Sequence, residues 1–300
     1  MVPTLEYWLT ASSEEVAFEV ASHHLAVLFS IDGTRRHYLL HNELEEITDF
    51  AAYTRFTAER HIRVYDMLFS LGVETIMSSF LYPPNFQRSV SYVQQAVASC
   101  QQLLTTDAFL ALYKHQDVIV RMVGDYDISP NAAVVRSDLM ALASELRSVT
   151  PRGTRSLRFG FYAGDPITEL ITRSTTFTRT VGTPPTREEL CIACFPEGPS
   201  AINILIEAGW LRVGLVLPSI LDNGQTDIYN LTHLALEVQE ETIRRILYDH
   251  LFRRWAAAED DLTYSAADLA ALREYYADHP NGVIGIGQIV GPGLWYAEHP

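Results

Sequence analysis

Asp32, Gly33, Thr34, Arg35 and Arg36 are consecutive, and they follow an apolar run, LAVLFSI, that reads as a strand. Two adjacent guanidiniums offer fixed donor forks matched to phosphate oxygens. Gly33 permits a tight turn after which backbone amides can point outward at an anion. Asp32 would repel that anion unless a divalent cation joins them, as magnesium commonly joins a carboxylate to a diphosphate. The stretch therefore describes a Mg²⁺–diphosphate cradle with Asp32 as its metal ligand. It equally describes a surface turn whose arginines pair with Glu43 or Glu45, and spacing alone leaves both readings open.

A second polar stretch, LYPPNFQRS, closes the next strand candidate, VETIMSSFLY. In a parallel sheet, ligands bind beyond the carboxyl ends of the strands. Asn85, Phe86 and Arg88 then share an edge with Asp32. Taken alone, the stretch reads as a polar loop that opens a helix.

The balance of charge makes the arginines informative. The chain has 37 acidic and 22 basic residues, a net charge of −15. Such a chain is a poor bulk partner for nucleic acid or for an anionic membrane surface. Its 300 residues can bury a core without disulfides, and no linker or repeat divides them, so one domain over 1–300 is expected. Cys100, Cys191 and Cys194 read as reduced thiols, because the CxxC of Cys191 and Cys194 lies after a helix start and a zinc site needs more ligands. No apolar run approaches the roughly 20 residues of a membrane span, and no signal peptide is evident. A cytoplasmic protein without stable membrane insertion is expected.

Other motifs carry less. GVIGIG lacks the following helix of a dinucleotide loop. EDDLTY (259–264) reads as a solvated linker, and His23-His24 have no acid at ligand spacing. Aspartate-rich terpene synthase boxes and a nucleophile elbow are absent from the sequence.

The elements that must position the arginines alternate. Strand candidates at 25–32, 73–82, 117–124, 156–164, 201–209 and 211–217 are separated by helical patterns at about 43–72, 89–100 with another reaching 115, 132–149 and 167–178. Gly72 stops the first of these helices. Thr186 and Glu189 form a capping box for a short helix, and 234–258 reads as the longest helix of all. A helix at 266–278 and a strand at 282–290 follow. Buried, non-alternating strands between helices imply an α/β fold with a largely parallel sheet.

The two loops together, in this order, resemble the cis-prenyltransferase family that includes undecaprenyl diphosphate synthase. That family has Asp-Gly-Asn-x-Arg-Trp after its first strand, where this chain has Asp32-Gly33-Thr34-Arg35-Arg36-His37. It has Ser-x-Glu-Asn-Trp-x-Arg after its second, where this chain has Tyr82-Pro83-Pro84-Asn85-Phe86-Gln87-Arg88. The resemblance gives Asp32 and Arg36 to diphosphate and metal, and Asn85 and Arg88 to the catalytic edge. The family's glutamate is Pro84 here. In the third motif, Arg-x-x-Gly-Glu-x-Arg-x-Ser, Glu207 replaces the first arginine, Arg212 stands nearby, and the serine is lost. A carboxylate there would repel a second diphosphate, which argues against chain elongation.

DGTRR, PPTREE, RRILYDH (244–250) and GLWYAE (293–298) also resemble a narrower group, tuberculosinol/isotuberculosinol synthase and kolavelool synthase. Tyr53 and Tyr92 occupy the positions of that group's active-site tyrosines. The resemblance implies a homodimer using Mg²⁺ to ionise a bicyclic diterpenyl diphosphate of kolavenyl or tuberculosinyl type. Gly33, Thr34, Arg35, Arg36, Arg88 and Arg212 would hold the diphosphate, and Tyr53, Tyr92 and Asn85 would line the reacting centre. Water would quench the allylic cation to a tertiary alcohol. Transfer to a nucleoside such as adenosine, chain elongation, and a noncatalytic lipid-diphosphate binding subunit are the alternatives.

Overall fold

The computed structural model describes residues 2–31, 33–195, 201–208, 226–254, 265–278, 286–291 and 294–297. Its centre is a parallel sheet of β1 (Ala26–Phe29), β2 (Thr75–Leu81), β3 (Val118–Val123), β4 (Arg155–Phe161), β5 (Ile204–Ala208) and β6 (Asp227–Leu231). The strand order is β3-β4-β2-β1-β5-β6. Val27 of β1 pairs with Ile76 on one side and Ile204 on the other.

All four residues of β1 are buried because each face of the sheet is covered. Val27 and Phe29 face the larger core, whereas Ala26 and Leu28 face a smaller one. On the larger side lie α4 (Phe50–Ser70), α6 (Val90–Leu104), α7 (Asp107–His115) and α8 (Arg136–Val149). On the smaller side lie α9 (Pro166–Val181) and α10 (Arg187–Cys194), with Leu170, Leu190, Cys191 and Cys194 turned inward or half-buried. The capping box of Thr186 and Glu189 opens α10 as expected. All three cysteines are buried and free.

α4 is the scaffold of the site. Asp49 caps it, accepting from the Ala52 amide at 2.9 Å. It runs for 21 residues and stops at Gly72, whose φ is +92°. A Cβ on Gly72 would lie 2.5 Å from the Ala17 carbonyl oxygen, so only glycine allows this approach.

The chain departs from the sequence reading in several places. Two short helices, α1 (Leu5–Thr10) and α2 (Ser13–Ala21), precede the sheet. The polar stretch after β1 is already helical as α3 (Thr34–Asn42), and 43–49 carries no helix. The proposed long helix at 234–258 is instead a short turn at Ala235–Glu237, then α11 (Glu240–Asp249) and a π-helical turn at His250–Arg254. Val238 between them is extended, with φ −52° and ψ 134°. Its apolar neighbours repeat at helical spacing, yet they are buried from a turn. The 211–217 strand candidate and the 259–264 linker lie outside the described residues. The last elements are α12 (Ala266–Asp278) and an antiparallel pair, β7 (Gly287–Gly291) and β8 (Leu294–Ala297). Among the described residues, no helix is long and apolar enough to cross a membrane.

Candidate active site

A cleft of about 1130 Å³ opens at the carboxyl edge of β1 and β2, between α3, α4 and α6. It brings together Gly33, Thr34, Arg35, Arg36, Tyr53, Asn85, Arg88 and Tyr92, which the sequence had placed in three separate segments. Asp32 and Arg212 lie outside the described residues.

Gly33 takes φ +78° and forms the N-cap of α3. The first bond of the helix runs from the His37 amide to the Gly33 carbonyl at 2.8 Å. The amides of Thr34, Arg35 and Arg36 therefore have no carbonyl within the helix to bond. Orphan amides and the positive end of the helix dipole face the mouth of the cleft, which favours an anion there. Arg36 folds back over the turn, its Nη2 lying 3.1 Å from where a Gly33 Cβ would be. No ion pair of Arg35 or Arg36 with Glu43 or Glu45 forms among the described residues, and Glu43 ends α3 in a left-handed conformation.

The second loop holds its polar groups by local bonds. Tyr82 precedes α5 (Pro83–Phe86), and its amide donates to Asn85 Oδ1 at 2.9 Å. Asn85 Nδ2 points to the Tyr92 hydroxyl at 3.4 Å. The Arg88 guanidinium lies over the Tyr92 ring, 4.6 Å from its centroid. The Tyr82 hydroxyl reaches Ser30 Oγ at 3.2 Å and so joins the two strand ends.

The walls are apolar and aromatic, with Leu39, Phe50, Phe80 and Leu103 among them. Tyr53 shares a hydrogen bond of 2.8 Å with Thr34 Oγ1, and burial pushes its phenol above the ordinary range, so it stays neutral. One turn and two turns further along α4 come Thr57 and His61. His61 is 4% exposed and its Nδ1 donates to the Thr57 carbonyl at 2.7 Å. Burial lowers its pKa to about 4, and the imidazole is neutral at pH 7.

Sequence reasoning did not single out Thr57, His61, Ser79 or Tyr82. Helical spacing would have found some of them, because Thr57 and His61 follow Tyr53 at four and eight residues, as Ala96 and Cys100 follow Tyr92.

The charge of the lining is the inverse of that of the chain. Its described residues include three arginines and no aspartate or glutamate, although the whole chain carries −15. Among the described residues, no group of three His, Cys, Asp or Glu side chains could hold a metal. The described lining does not by itself fit Mg²⁺, and the metal reading rests on Asp32.

The fold is that of the cis-prenyltransferases. A lavandulyl diphosphate synthase from Lavandula x intermedia, solved with dimethylallyl diphosphate, superposes with a TM-score of 0.51 at 15% identity, covering 75% of this chain and 94% of that one. A probable undecaprenyl diphosphate synthase from Campylobacter jejuni gives 0.54 at 12% identity, covering 77% and 95%. No protein-family model matches the sequence. Tuberculosinyl adenosine transferase from Mycobacterium tuberculosis (strain CDC 1551 / Oshkosh) is 31% identical over 278 residues, 90% of each chain. The chain belongs to the family of that transferase, a prenyltransferase-like enzyme family. The relative is named for transfer to adenosine, whereas the sequence reading had put water first as acceptor.

Proposed function

We propose that this protein ionises a bicyclic diterpenyl diphosphate in the arginine-mouthed cleft and transfers the diterpenyl group to a nucleoside, adenosine being the first candidate. The carrying observation is the inverted charge of the cleft's described lining, with three arginines and a helix N-terminus at the mouth of an apolar, aromatic cavity. The name of the 31% identical relative supports the nucleoside acceptor over water.

In this mechanism the allylic carbon–oxygen bond breaks and its electron pair leaves with the diphosphate. Arg35, Arg36 and Arg88, with the amides of Thr34 to Arg36, neutralise charge that develops on the departing oxygens. Preorganised donors of this kind are typically worth roughly 10²–10³ in rate each. The cation is left among aromatic rings, including Tyr53, which touches Thr34, and Tyr92, which touches Arg88. An aromatic face is worth about 0.5–2 kcal/mol to a cation. Attack by the lone pair of a nucleoside nitrogen forms the carbon–nitrogen bond. An exocyclic amino nitrogen then gives its proton to the released diphosphate, whereas a ring nitrogen has none to lose and leaves a cationic adduct beside the diphosphate. Mg²⁺ would supply further charge neutralisation at the diphosphate when bound at Asp32. No step above depends on it.

Chain elongation is disfavoured by Glu207, a buried carboxylate at the end of β5 beside the strand that leads into the cleft. The test is incubation with tuberculosinyl or kolavenyl diphosphate and Mg²⁺, with and without adenosine, followed by mass spectrometry. An adenosine adduct is expected. A diterpene alcohol formed equally in both reactions would return the reading to water, and in a third reaction supplied with labelled isopentenyl diphosphate its incorporation would return the reading to elongation.

A further inference from the structure

His61 sits where the diphosphate chemistry does not need it. It lies eight residues beyond Tyr53 on α4, about 12 Å further along the helix axis. Tyr53 marks the mouth through its bond to Thr34, so His61 marks the depth reached by the far end of a long substrate. Around it are Phe80, at 5.4 Å between ring centroids, and Tyr65, at 5.8 Å. The Tyr65 hydroxyl is turned away to Ser78 at 2.7 Å.

The state of the imidazole follows from its contacts. A carbonyl can only accept, so the bond to Thr57 fixes the proton on Nδ1. Nε2 then carries a lone pair, on a side chain that is among those lining the cleft. No hydrogen bond from a described residue reaches Nε2. A hydrocarbon ring system packed here would strip water from this acceptor and leave it unsatisfied, whereas a substrate hydroxyl would satisfy it.

We propose that His61 makes this cleft selective for a diterpenyl diphosphate bearing a hydroxyl on its ring system. The proposal rests on the diphosphate reading of the mouth given above, since that fixes which end of the substrate enters first. It concerns the opposite end and requires no change in the reaction.

The test measures binding separately from turnover. Thiolo analogues of copalyl diphosphate and of its ring-hydroxylated counterpart, which resist ionisation, are titrated calorimetrically into the full-length protein. The hydroxylated ligand is expected to bind roughly ten- to a hundredfold more tightly. In His61→Phe that ratio should fall to about one, chiefly through tighter binding of the hydrocarbon ligand, while His61→Gln, which keeps an acceptor, should retain part of it. Equal affinities in the wild type, or a preference that survives His61→Phe, would overturn the proposal. A preserved ratio in a protein that turns over neither diphosphate would support the selectivity and sink only the reaction assigned to the mouth.

Discussion

Thr34 and Tyr53 join their hydroxyls at 2.8 Å across the mouth of the cleft, tying the first residue of α3 to the first turn of α4. The bond ties the helix that carries Arg35 and Arg36 to the helix that carries the aromatic wall. Tyr53→Phe keeps the ring and loses this tie, at about 0.5–1.5 kcal/mol for a neutral hydrogen bond. We expect kcat/KM to fall up to about tenfold. Tyr53→Ala, which also removes the π face, should fall further. Equal kinetics for Phe and Ala would mean the ring does not meet the cation.

The arginines should behave differently from the tyrosine. Arg35→Ala, Arg36→Ala and Arg88→Ala each remove a charge from a cleft whose described lining has no compensating carboxylate. Each should lower kcat by roughly 10²–10³, with unfolding midpoints close to wild type because Arg35 and Arg88 are exposed and Arg36 is half-buried. Lysine at these positions should restore only part of the rate, since it lacks the planar fork. Steady-state kinetics beside urea unfolding separates the two effects, and a variant with unchanged kcat removes that arginine from the proposed clamp.

His61 gives a stability signature in acid. Its folded pKa of about 4 lies below the ordinary 6.5, because burial disfavours the imidazolium. Above pH 6.5 neither state binds the proton and no differential exists. As pH falls from 6.5 toward 4 the unfolded chain takes up a proton that the folded chain refuses, so stability is lost, by about 3 kcal/mol at the lower end. His61→Phe should flatten this part of the curve. Urea midpoints of the two proteins between pH 7 and 4 check it, and parallel curves would show that His61 accepts protons in the folded state.

Much of this site was legible because it lies where strands end. The apolar run before Asp32 and the one before Pro83 both proved to be central strands, so their polar sequels had to meet on one edge. The helical start at Thr34 was not legible, because Gly33 caps it with backbone conformation alone and leaves no side-chain signal. β6 was missed for a related reason. DIYNL is an edge strand with only Leu231 buried, so it shows neither an apolar run nor clean alternation. At 235–238 the spacing of Ala235, Leu236 and Val238 fits a helix as well as the turn that buries them. His61 looked like one more polar residue on an amphipathic helix, and its place in the cleft depends on the facing α6.

Arg244, the first residue of the RRILYDH segment, is a packing residue. Its guanidinium donates to the Trp8 carbonyl at 3.1 Å, the Ala11 carbonyl at 2.8 Å and Ser13 Oγ at 3.1 Å, and it pairs with Glu240. Trp8 Nε1 donates back to the Arg244 carbonyl at 2.8 Å. One buried residue of α11 thus holds both N-terminal helices to the body of the protein. Arg244→Ala leaves two carbonyls without their charged donor, and a loss of about 2–4 kcal/mol is expected. The cleft lies on other elements, so kcat per folded molecule should stay near wild type at low temperature. Arg244→Lys should recover less than half of the loss, because one ammonium cannot span three acceptors in different directions. Thermal unfolding of the three proteins measures this, and an Arg244→Ala variant as stable as wild type would show that the N-terminal helices are held by apolar contacts alone.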